Sequence, residues 1–187
     1  VIATGNLSVA YPTTDNTAGD LFLLHIYVDN AVPVPNAPTG WNYLFGGDAI
    51  GDGSGRSWIY GKISAGTESG NVTVSFAGQV SAAYLGRMYR FRGTATDHYV
   101  EGAALTTWDG STGNTPMPTV TATVNYALAV AFYTNDSNVG GTVSSATGES
   151  GGDWTEAVAE YSTPTGSDDA YNYKQQIYQL ENQYLVE

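Results

Sequence analysis

The chain has no cysteine among its 187 residues, which removes disulfides, thiolate metal sites and cysteine nucleophiles together. Positive charge is nearly as scarce: six Lys and Arg stand against 18 Asp and Glu, for a formal net charge of −12. A surface with that balance repels phosphate backbones and anionic headgroups, so neither nucleic acid nor a membrane is an expected partner. No apolar run is long enough to cross a bilayer as a helix. The two histidines are too few for a three-histidine metal site. Helical periodicity is also hard to find along the chain. Packing and hydrogen bonds are left to hold the fold.

What is present favours β structure. The sequence carries 23 Gly, 14 Tyr and abundant Thr, Ser and Val, residues suited to pleated half-buried surfaces and to the turns between them. Ala18-Gly19-Asp20 opens the run Leu21-Phe22-Leu23-Leu24-His25-Ile26-Tyr27-Val28, and Asp29-Asn30 closes it. A strand with one wet face alternates apolar and polar residues; this one does not, so both its faces are expected to be covered. Asn71-Val72-Thr73-Val74-Ser75-Phe76 does alternate, which predicts one face on the core and one in water.

Strands are predicted over 5–11, 20–29, 41–46, 56–64, 70–77, 82–92, 118–124, 126–134, 154–162 and 171–180. The expectation is an all-β fold: an antiparallel two-sheet sandwich of jelly-roll type, with about ten strands and long loops. An immunoglobulin-type sandwich is the alternative, with fewer strands than this. The length suits a single domain over 1–187, ending in a C-terminal arm at about 181–187 that docks on its own domain or a neighbour.

Catalytic groupings are missing from the sequence. There is no nucleophile elbow, His25 reads as a hydrogen-bonded packing residue, and His98 sits in a polar loop. Glu156 and Glu160 share strand parity, yet four residues along a strand separate them by about 13 Å, too far for a glycosidase pair. The chain is therefore not expected to be an enzyme. No cofactor is expected either. Calcium is the one ion that the Gly-rich tip with Asp48 and Asp52 would suit, although their spacing is not that of an EF-hand and Asp is more often a turn residue.

Contact surfaces are the better lead. In 126–134 one face carries Leu128, Val130 and Phe132 and the other Ala127, Ala129 and Ala131, a flat apolar face open to a subunit interface or to a loop of the same chain. Arg87, Arg90 and Arg92 hold half the positive charge, with Arg90 and Arg92 on one face of their strand and Arg87 on the other. They fit either an interface with an acidic neighbour or internal pairing with Asp or Glu. Of the four tryptophans, Trp41 and Trp58 read as core. Trp108, in the long loop 93–117, is the candidate for ligand stacking alongside Asp48 and Asp52.

The order Gly19-Asp20-Leu21-Phe22-Leu23, Pro38-Thr39-Gly40-Trp41, Trp58-Ile59-Tyr60-Gly61-Lys62, Gly66-Thr67-Glu68, Tyr89-Arg90-Phe91-Arg92-Gly93, Pro118-Thr119-Val120 and Asn125 to Val130 resembles a set of bacteriophage and prophage virion-associated β-sandwich domains. The likeness spans 18 to about 134. It implies a jelly-roll that decorates a capsid or forms part of a tail or fibre, with no catalytic residues to carry over. The expected function is a non-enzymatic virion subunit of decoration or cement type. It would bind the major capsid or other virion proteins and sister subunits, with trimers common among the proteins it resembles. A carbohydrate-binding module or receptor-binding fibre domain is the alternative, since one architecture serves both.

Overall fold

The computed structural model describes residues 2–3, 6–12, 16–29, 34–50, 55–76, 82–92, 130–135, 154–162 and 173–180. The chain divides into two compact units, Val1–Thr115 and Pro116–Glu187. Among the described residues none is helical, and every strand pairing between named strands is antiparallel.

The first unit holds β1 (Ile2–Ala3), β2 (Leu7–Ala10), β3 (Ala18–Asp29), β4 (Asn42–Ile50), β5 (Gly55–Ala65), β6 (Asn71–Val74) and β7 (Ala82–Phe91). Five of them form one sheet in the order β1-β7-β3-β5-β4, and β2 pairs with β6 in a second. The long apolar run is thus the middle strand. Every residue from Phe22 to Val28 is buried, on both faces, as its lack of alternation requires. Phe22, Leu24, Ile26 and Val28 join Trp58 and Tyr60 of β5 in the core. The small sheet contributes Val9, Val72 and Val74, while Asn71 and Thr73 stay exposed. A Cβ on Gly86 of β7 would lie 2.6 Å from Leu7 Cδ2 and from Val9 Cγ2, so this glycine lets β2 rest on the larger sheet.

An aromatic group closes one end of this core. Tyr11 meets Phe22 edge-on at 5.4 Å between centroids, and Trp41 packs against both rings. Trp41 is held there by the turn before it. Its N–H bonds to the Pro38 carbonyl at 2.9 Å while Gly40 takes φ of 80°, the geometry of a type II turn, which needs glycine at that place.

The structure carries the strand expected over 41–46 on into the Gly-rich tip. β4 does not stop at Gly46. It bulges between Tyr43 and Phe45 and again between Gly46 and Ala49, then continues to pair Ala49 with Arg56 and Ile50 with Gly55. Gly46 and Gly47, with φ of 124° and 95°, absorb the second irregularity.

The second unit contains β8 (Val130–Asn135), β9 (Trp154–Ser162) and β10 (Tyr173–Leu180), in a sheet of order β8-β10-β9. β10 pairs Ile177 with Phe132 on one side and with Val158 on the other. The expected strand over 118–124, the loop 93–117 and the arm at 181–187 lie outside the described residues.

Candidate functional site

Among the described residues of the first unit, chemistry-bearing side chains gather in two places. The first is the end of the sheet where β3 begins and β5 ends. Thr17-Ala18-Gly19-Asp20 is a second type II turn: the Asp20 N–H donates to the Thr17 carbonyl at 3.1 Å, and Gly19 takes φ of 92°. Asp20 is buried, and its Oδ2 accepts the Thr17 N–H at 3.1 Å. Two guanidiniums from β7 and its end reach the same oxygen, Arg92 Nε at 3.4 Å and Arg90 Nε at 3.9 Å. Arg90 also donates to Asn16 Oδ1 at 3.0 Å, and Asn16 Nδ2 donates to the Glu68 carbonyl at 2.8 Å.

Glu68 organises the turn that leaves β5. Its carboxylate accepts the N–H groups of Ala65 and Gly66 and the Ser64 hydroxyl, and pairs with Lys62 Nζ at 3.1 Å. Burial pushes this carboxyl up, but the Ala65 N–H, the Ser64 hydroxyl and Lys62 outweigh it and hold the pKa at about 2. Burial likewise works against the Lys62 ammonium, yet the Glu68 bond and the nearby Tyr11 ring keep its pKa above the ordinary value.

Because the Glu68 carboxyl titrates lower in the folded chain than its ordinary 4.5, its contribution is present above that value and lost as pH falls towards 2. Glu68→Gln should therefore cost about 2 kcal/mol at neutral pH, the worth of charged hydrogen bonds. Below pH 4.5 the gap between variant and wild type should narrow. Urea denaturation at pH 7 and pH 3 checks both statements.

The second gathering is on the face of β3 away from the core. His25 is 1% exposed, and its Nε2 lies 2.5 Å from Ser57 Oγ of β5. The register sets Arg87 of β7 directly across from His25, and the Arg87 guanidinium lies over the Tyr89 ring at 5.9 Å. Burial lowers the His25 pKa to about 3 and pushes the Tyr89 phenol up to about 12. A histidine beside a serine invites comparison with a nucleophile and its base. A ring this reluctant to accept a proton is a poor general base near neutral pH. Here it is a neutral hydrogen-bonding strut.

No family model matches the chain, and no curated protein or solved structure does. Arg90 and Arg92 meet Asp20, while Arg87 lies on the opposite face, as strand parity required. Of the other candidates, Ala131 lies in β8 opposite Tyr178. Asp48 lies in β4, and its side chain is outside the described residues, as are Ala127, Ala129, Trp108 and Asp52. Among the described residues no three His, Asp or Glu side chains are grouped to hold a metal ion. Sequence reasoning missed Asn16 and the organising role of Glu68. Ser64-Ala65-Gly66-Thr67-Glu68 did carry the signal: an acid two residues past a turn glycine can turn back onto the turn's own N–H groups.

Proposed function

We propose that this chain is a non-enzymatic structural subunit of a bacteriophage virion, a β-sandwich of jelly-roll type that decorates a shell or forms part of a tail. Its partners would be the major capsid or other virion proteins and sister copies of itself. The reading rests on the ordered motifs that resemble virion-associated domains, and on the use to which their residues are put. Asp20, Lys62, Glu68, Arg90 and Arg92 come from four separate motifs, and all five serve one internal framework. Five of the six basic residues belong to β5, β7 or the residue just past it, and each has an interaction within the first unit. Charge spent in this way fixes a scaffold and leaves recognition to loops and outer faces, as suits a subunit that works by being placed.

Light scattering across a concentration series tests the reading. A stable oligomer, with three copies as the expected number, supports it. Ala129→Glu should then give a folded monomer if the Ala-rich face joins the copies. A monomer at every concentration would overturn the self-associating subunit. Glycan-array binding lost in Trp108→Ala would put a carbohydrate-binding module in its place.

A further inference from the structure

We propose that the face of the five-stranded sheet turned away from β2 and β6 is covered by the chain's own segment 93–115, with Trp108 as its anchor. Strand alternation puts Leu23, His25 and Tyr27 of β3 on that outer face, together with Tyr89, the β7 partner of Leu23. Their exposures are 6%, 1%, 2% and 6%. None of the four belongs to the core that β2 and β6 close on the other side. A sheet face open to water carries polar, solvated side chains. This one buries four neighbours within a single chain, so a layer of protein lies over them.

The described residues of the first unit do not provide that layer. β2 and β6 pack on the core face, and so do Trp41 and the Pro35 carbonyl that accepts the Tyr60 hydroxyl. β1 and β4 extend the sheet in its own plane. Leu44 of β4 comes up to Gly61 and flanks Leu23 from one side. The first unit runs to Thr115, and its stretches outside the described residues are 93–115 and links of five residues at most. From Leu23 to Tyr27 the face is about 13 Å long, which a link of that size cannot cross and return.

Segment 93–115 has the reach and the composition. It leaves β7 past Phe91, which shares the face of Tyr89 by parity, so it starts beside the surface to be covered. Its large apolar residues, Tyr99, Val100, Leu105 and Trp108, are bunched in its middle. Glu101 lies among them, opposite in sign to Arg87 on the same face of β7. Trp108 has the most apolar area of these to bury, which makes it the anchor. Trp108 and Arg87 are then both used within the first unit, and a shell protein, a sister copy or a sugar has to be met elsewhere. None of this depends on the virion assignment.

A chain without cysteine makes the test direct. Leu23→Cys places a thiol on the outer face and Val74→Cys places one in the core, and the reaction of each with a water-soluble maleimide is timed in the full chain. Both are then repeated with 97–110 replaced by Gly and Ser. In the full chain each thiol should react about 100-fold more slowly than in urea. In the replaced chain the thiol at 23 should approach the rate seen in urea, while the thiol at 74 keeps its protection. A thiol at 23 that reacts freely in the full chain, or stays protected in the replaced one, would overturn the proposal. Should the replaced chain fail to fold, nuclear Overhauser contacts of the Trp108 indole in wild type decide the matter: contacts with Leu23, Tyr27 or Tyr89 support the cover, and their absence refutes it.

Discussion

Asp20→Ala should be among the most damaging single changes to a charged residue of this chain, costing about 3 kcal/mol, near the lower end for breaking a buried ion pair. Three losses coincide. The Thr17 N–H loses the acceptor that closes the turn into β3, and a hydrogen bond to a charged group is worth about 1.5–3 kcal/mol. Arg90, largely buried, loses its carboxylate while Asn16 Oδ1 still accepts a hydrogen bond from it. Arg92 contributes least, because its side chain is half exposed and water can replace the carboxylate. Asp20→Asn retains a carbonyl oxygen for Thr17, so it should cost noticeably less than the alanine. Arg92→Gln should stay within about 1 kcal/mol of wild type. In a chain of this length the alanine variant should melt about 10 °C lower. Asp20→Ala within 0.5 kcal/mol of wild type, by the ordinary scatter of surface substitutions, would mean that the cluster is incidental to the fold.

The same cluster shows what a sequence alone can and cannot carry. β3 was legible because burial on both faces erases alternation, and Phe22 to Val28 have none. β6 was legible for the opposite reason: Asn71 and Thr73 face water while Val72 and Val74 do not. Parity correctly separated Arg87 from Arg90 and Arg92. The partners of those arginines were not legible. Asp20 is 70 residues from Arg90 along the chain, and only the register of β3 against β7 brings them together. Glycine misled where it was densest. Gly46-Gly47 reads as the start of a Gly-rich tip by composition, yet the same absence of a side chain lets a strand bulge and continue. Ala127, Ala129 and Trp108, leads for contact surfaces, lie outside the described residues, and their roles remain proposals.

Gly46→Val should be more damaging still, costing about 4 kcal/mol or more, a size reserved for changes with a specific structural cause. Gly46 takes φ of 124°, a conformation that costs a residue with a side chain about 1–3 kcal/mol. The larger obstacle is steric. A Cβ there would overlap the Ser57 carbonyl oxygen and lie 2.7 Å from Trp58 Cα. Both atoms are backbone of the paired strand, so no rotamer change relieves the overlap; β4 must separate from β5. Gly40 provides the control, since it has φ of 80° with nothing within 4 Å of its Cβ position. Gly40→Ala should show the conformational cost alone, about 1–2 kcal/mol. Gly47→Ala should fall between the two, because its Cβ would press the Trp58 indole at 3.2 Å from Nε1, a side-chain atom that has some room to yield. Trp58 is fully buried at this contact, so its fluorescence should shift to the red in Gly46→Val as the hairpin parts from the sheet. Equal costs for Gly46→Val and Gly40→Ala in urea denaturation would mean that β4 leaves this edge without resistance. The bulge would then be a loose end of the hairpin and no part of what holds the five strands together.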